Sequence, residues 1–374
     1  SWAGYDAETK TLTCDLVSRT SGYSMHAVIA DDGAVFCTII DANFPDEALT
    51  ATTDGLVWSK TNTAEDWQGY YTVALPVDAG TVEEGVPNVA PRGSGYLTLK
   101  MNTSSSVRSG TVAWSGLLPN GTSVSGSASF DSVRAFFEDG VETRWATLPI
   151  FKTSRRDVFS AYLRIGEKAQ SKGVRRCVLA MANEGGALFR AQCLHTEKAL
   201  EGCWVANMGV FGSYYDAKEN LGGCCSEGYK TNEPFLSFDV EALGRLFVGT
   251  PVVLSPVRTV VSDRSIKIDA SAEENPHGAR LSLKASTGIV SGSFKLPYIV
   301  DEATGKTKTK SVSWKGVIVT GWGAGCGCGD YEIYLPFVSG SYYLDDKVEY
   351  RTDAGTKTLS VRRGGMVKVD ALGE

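Results

Sequence analysis

Nine cysteines give this 374-residue chain its most versatile chemistry, since thiols cross-link, bind metals or attack electrophiles. Cys14 and Cys37 stand in the strand-like runs 10–17 and 34–40. Cys177 and Cys193 flank a hairpin expected to turn at Asn183-Glu-Gly-Gly186. Antiparallel neighbours can bring such thiols to bonding distance, so Cys14–Cys37 and Cys177–Cys193 are the expected disulfides. That points to an oxidising compartment, with buried free thiols as the alternative. An odd count leaves at least one cysteine unpaired in the monomer or bonded to another chain.

The remaining cysteines are Cys203, Cys224, Cys225, Cys326 and Cys328. Adjacent thiols and a Cys-x-Cys step are poor zinc spacings, so cross-links among these five are the expectation and no metal site is. Cys326 and Cys328 lie in Gly321-Trp-Gly-Ala-Gly-Cys-Gly-Cys-Gly329. A Gly-rich loop after a strand suggests a dinucleotide site, but no Gly-x-Gly-x-x-Gly fits there. The next stretch, Tyr331-Glu-Ile-Tyr-Leu335, reads as a strand, so no helix N-terminus is there to meet a pyrophosphate. No cofactor is expected.

His26, His195 and His277 lie in no nucleophile-elbow or zinc-helix motif and read as structural or solvent-facing. Carboxylates cluster at Glu83-Glu84, at Asp131, Glu138 and Asp139, at Glu273-Glu274 and at Asp345-Asp346. A glycosidase needs two acids facing across a cleft, whereas these stretches are polar and turn-rich, as solvated loops are. Eight Trp and fifteen Tyr raise a sugar-stacking reading. Tyr70, Tyr71, Trp114, Trp314, Tyr331, Tyr334, Tyr342 and Tyr343 occupy strand-like positions, where aromatic rings are more often core or cross-strand partners. Asn102-Thr-Ser104 and Asn120-Gly-Thr122 have glycosylation-acceptor spacing.

The elements that must carry these residues are strands. Gly95-Tyr-Leu-Thr-Leu-Lys100, a Ser-rich turn and Val107-Arg-Ser-Gly-Thr-Val112 alternate apolar and polar residues. Gly278-Ala-Arg-Leu-Ser-Leu-Lys284, a Thr287-Gly288 turn and Val290-Ser-Gly-Ser-Phe294 do the same. Period-two alternation predicts hairpins with one face on a core and one in water. Thr122-Ser-Val124-Ser-Gly126 corresponds to the later run through Val312 and Trp314, and Leu148-Pro149 to Leu335-Pro336. Signals in the same order twice predict two related β-units, about 66–166 and 210–348. Three or four runs before residue 62 (11–17, 24–30, 34–40 and 56–60) predict a small β-segment, with Asp31-Asp-Gly33 as a hairpin turn. Residues 357–362 and 366–370 read as a closing hairpin turned by Gly364-Gly365, and 239–247 is the one helical candidate.

The expected fold is therefore all-β: two related antiparallel β-barrel or sandwich domains, 66–209 and 210–374, behind an N-terminal β-segment, 1–65. A net charge of −6 argues against nucleic acid as a partner. No apolar run is long enough for a membrane-spanning helix. The chain begins at Ser1, which suggests a removed leader.

The hairpins, the Leu-Pro pair and Trp314-Lys-Gly-Val-Ile-Val-Thr-Gly-Trp322 resemble the tandem β-barrel repeats of secreted and surface proteins of environmental bacteria. The resemblance covers most of 66–348 and implies β-barrel units and an extracellular or cell-surface location. It implies no catalytic residues. The expectation is a non-enzymatic structural subunit of a filament, sheath or surface layer, partnered by its own copies. Trp2 and Tyr5 are the assembly candidates, in a terminal segment able to leave the body and pair with a neighbour's sheet edge. The alternative is a carbohydrate-binding adhesin facing surface glycans.

Overall fold

The computed structural model describes residues 2–9, 11–17, 23–29, 35–41, 44–53, 58–77, 91–138, 141–154, 157–170, 173–182, 188–189, 191–197, 202–218, 234–239, 254–262, 264–301, 304, 306–319, 338–352 and 355–370. The fold is all-β, with three antiparallel sheets.

A five-stranded meander comes first: β1 (Trp2–Asp6), β2 (Thr11–Val17), β3 (Tyr23–Ile29), β4 (Val35–Asp41) and β5 (Phe44–Thr53). The second sheet contains β6 (Gly69–Pro76), β7 (Ser94–Met101), β8 (Thr111–Leu117), β9 (Ser123–Ser129), β10 (Ser132–Glu138), β11 (Val141–Thr153), β12 (Asp157–Gln170), β13 (Gly173–Ala182), β14 (Leu188–Phe189), β15 (Ala191–Glu197), β16 (Gly202–Met208) and β17 (Phe211–Tyr214). The third is a nearly closed eight-stranded barrel. Its strands are β18 (Phe235–Phe238), β19 (Val257–Ser262), β20 (Ser265–Ile268), β21 (Arg280–Lys284), β22 (Ile289–Asp301), β23 (Lys306–Ile318), β24 (Val338–Thr352) and β25 (Gly355–Asp370).

β17 pairs with β6 and β13, so the second sheet runs to Tyr214, past the expected boundary at 209. Tyr71 on β6 lies directly opposite Tyr214 on β17. The Ser-rich turn is a short helix, α1 (Ser104–Ser109), so Val107 is helical and the strand starts at Thr111. The Thr103 hydroxyl accepts a hydrogen bond from the Ser106 N–H, and the Ser106 hydroxyl accepts one from the Thr103 N–H. That capping box outweighs the hairpin reading of a Ser-rich run. Gly364 and Gly365 do not turn the chain. β25 runs straight through them, opposite Tyr343 and Tyr342, where the lack of side chains makes room for the rings. In the N-terminal block β5 was not anticipated, and 58–60 is irregular rather than strand. Of the helical candidate only Asp239 is described. It continues from β18, its N–H donating to the Met366 carbonyl.

The duplicated signal has a physical counterpart in the registers. Trp114 on β8 lies opposite Gly126 on β9, and a pairing of the same two residue types occurs in the third sheet. There Gly292 on β22 lies opposite Trp314 on β23. In each case the glycine leaves room for the indole facing it across the strands. Trp114 is 4% exposed and Trp314 1%, each in its own core. A Cβ on Gly292 would sit 2.5 Å from Trp314 Nε1 and 1.9 Å from the Arg280 carbonyl.

The alternation in β7 was expected to leave one face in water. Leu97, Leu99 and Met101 do enter the first core. The other face, with Ser94, Tyr96 and Thr98, is buried too, because the eight-stranded barrel covers it. Thr72 Oγ1 donates to the Ile318 carbonyl at 2.7 Å, and Ser339 Oγ to Ser94 Oγ at 2.8 Å. Ser341 Oγ donates to the Ser94 carbonyl at 3.0 Å, and Tyr343 to the Leu118 carbonyl at 3.2 Å. Buried hydroxyls in a fully paired seam lock orientation, since separating them strands polar groups. The second sheet and the barrel form one body.

Candidate functional site

Among the described residues the N-terminal sheet shares no hydrophobic core with that body. None of its described residues belongs to any of the three hydrophobic clusters. β1 pairs only with β2 and β5 only with β4 among the described residues, so both sheet edges carry unpaired backbone groups. Such edges are templates for added strands.

Asp6 explains why the terminal segment is not a loose arm. Its carboxylate accepts from the N–H of Glu8 at 2.8 Å and of Thr9 at 3.1 Å. These bonds, the one from Thr9 foremost, hold its pKa below the usual value. The turn returns β1 onto β2, with Tyr5 opposite Leu12 and Trp2 opposite Asp15. Trp2 and Tyr5 thus sit on an edge strand of their own sheet, which corrects the expectation of a departing segment. Tyr5 is 67% exposed.

The register also removes both expected disulfides. Cys14 and Cys37 both face Ala27, from opposite sides, with β3 between them. Two strand spacings put their Cα atoms roughly 9–10 Å apart, beyond disulfide reach. Both thiols are free and half-buried. Cys177 lies opposite Gly166 and Cys193 opposite Phe159, because the chain leaves β13 and rejoins β12 further along. They are about 23 Å apart along that strand. Cys193 is free and buried, and burial, reinforced by Asp157, pushes its thiol up to about 12. Cys203 lies on β16 opposite Thr196. Cys224, Cys225, Cys326 and Cys328 lie outside the described residues, as does the Gly-rich run around the last two.

Other candidate chemistry is dispersed. His26 is exposed on β3, His195 lies opposite Asp157 and Trp204, and the His277 carbonyl accepts from Lys295. Asp131 accepts from Tyr162 and Ser132, Glu274 caps the Ser271 turn, and Asp345 pairs with Arg362. Glu83, Glu84 and Asp139 lie outside the described residues. Among the described residues no three metal-ligating side chains are grouped, and no helix is long and apolar enough to cross a membrane. Of the aromatics considered as sugar platforms, Tyr71, Trp114, Trp314 and Tyr342 are core residues, and Tyr70 and Tyr343 are half-buried. Tyr331 and Tyr334 lie outside the described residues. Asn120 donates to Asp157 at 3.1 Å, whereas Asn102 is exposed.

No family model matches the chain, and no curated protein or solved structure is significantly similar to it.

Sequence reasoning found the N-terminal strands but missed the separation of faces that the register creates. Along β2, Leu12 and Cys14 lie on one face and Thr13 on the other. The alternation was visible in the sequence. Which rows align with it was not.

Proposed function

We propose that this chain is a non-enzymatic extracellular structural protein, the repeating subunit of a filament, sheath or surface layer. Subunits join by backbone pairing at the edges of the N-terminal sheet. The observation that carries the reading is that sheet's pair of edges, unpartnered among the described residues, beside a body braced by a buried polar seam. An edge strand of one copy on the opposite edge of the next is a heterologous contact, which propagates when it does not close. The compartment rests on the resemblance to secreted barrel repeats and on the cysteine-rich composition.

Proline is the direct probe. Adjacent residues of an edge strand point their N–H groups to opposite sides, so one of Ala3→Pro and Gly4→Pro removes an outward donor while sparing the ladder with β2. Electron microscopy and sedimentation of concentrated protein should show open-ended species in the wild type. One of the two proline variants should stop their growth. A wild type that forms no open-ended species at high concentration, or growth indifferent to both prolines, rejects the reading.

A further inference from the structure

The two faces of the N-terminal sheet differ in kind. On one face the register sets Tyr5, Leu12 and Ile29 in a row across β1, β2 and β3. The next row on that face is Cys14, Ala27 and Cys37, across β2, β3 and β4. None of these six side chains is charged. The opposite face carries Asp6, Thr13, Ser24, His26 and Thr38 beside Val28, Phe36 and Ile40. Across the apolar face only Ala27, at the centre of the small row, is buried among the described side chains. Tyr5 and Leu12 are exposed. No described residue from the second sheet or the barrel joins a hydrophobic cluster with it.

We propose that this apolar face docks on the same face of a second copy, making a closed two-layer sandwich. Three arguments select the occupant. The first is shape. A row of large side chains runs beside a row of small ones, so each copy offers a ridge and a trough. Under a two-fold rotation the ridge of one copy enters the trough of the other. The second is charge. The rows through Leu12 and Cys14 carry no charge and need no partner of opposite sign, so their own twin meets that condition, with Asp41 placed at the far end of the face opposite Tyr23. The third is area. Five strands spaced about 4.8 Å apart, with seven residues rising about 3.3 Å each, present roughly 550 Å², so two copies hide about 1,100 Å². That clears the roughly 1,000 Å² of a specific interface by a small margin, so the association is reversible and concentration-dependent.

This pairing uses the face and stops at two, whereas pairing at the edges continues. The two therefore succeed or fail separately.

The test is sedimentation velocity on the full chain over a concentration series, with thiol mapping in parallel. Wild-type protein should convert from monomer to a two-copy species as concentration rises. Leu12→Lys should weaken that step at least tenfold. Phe36→Lys, on the opposite face and 54% exposed, should leave it unchanged. Maleimide labelling of Cys14 and Cys37 should be fast in dilute protein and slowed in concentrated protein. The proline variants that stop open-ended growth should keep the two-copy step. A wild type without that step, equal sensitivity to Phe36→Lys and Leu12→Lys, or thiol protection independent of concentration would each overturn the proposal. The last result would mean that another part of the same chain covers the face.

Discussion

At the scale of single residues, burial decides reactivity. Cys193 is packed among Phe159, Ala191 and Ala206 in the first core, where a thiolate has no water to stabilise it. Cys14 and Cys37 stand on a single-layer sheet and stay within reach of solvent. Dilute native protein treated with a maleimide at pH 8 should therefore label Cys14 and Cys37 and spare Cys193. Peptide mass mapping should find Cys193 modified only after unfolding. Labelling of Cys193 in the native state would show the first core to be open. The same principle accounts for the paired glycines and tryptophans. Gly126 and Gly292 are where an opposing indole lies flat against the backbone, and alternation of side-chain type cannot reveal which strand holds which partner.

At the scale of elements, α1 is the place where a local signal was misread. Its Ser-rich sequence suits a turn, and the turn was expected to link two strands directly. Thr103 and Ser106 instead cap each other, and Gly110 ends the helix at φ +59°. Val107 then drops into the first core beneath Trp58 and Trp67. Thr103→Ala should remove one half of that reciprocal cap and lower stability by about 1 kcal/mol, read as a shifted urea midpoint at unchanged slope. Thr103→Ser keeps the hydroxyl and should restore most of it. The strands themselves were legible because period-two alternation is a local property. Their partners were not. β15 leaves the hairpin with β13 to join β12, and this single departure separates Cys177 from Cys193.

At the scale of the whole molecule, the seam between the second sheet and the barrel sets the behaviour. Tyr70 donates to the Thr287 carbonyl, and Tyr215, next to it, reaches the Ala285 carbonyl at 2.6 Å. Burial pushes Tyr215 up from 10.0 to about 12, and it raises Tyr342 and Tyr343 as well. Above pH 10 the unfolded chain releases these phenolic protons while the folded protein keeps them, so the folded state is disfavoured. Stability should be level up to pH 10 on this account and fall as pH climbs towards 12. Tyr215→Phe should reduce that fall. Urea titrations at stepped pH provide the measurement, and an alkaline profile unaltered by the substitution would remove Tyr215 from the explanation.

By itself the sequence determined the all-β fold class and most of the strands of the N-terminal sheet. Each of these is written in alternation, turn residues and order along the chain, which need no knowledge of distant neighbours. Tertiary structure alone decided which thiols meet, where β7 hides its polar face and which side of the N-terminal sheet is apolar. Those outcomes depend on strand partners and register, and shifting a strand by one residue moves every side chain to the other face.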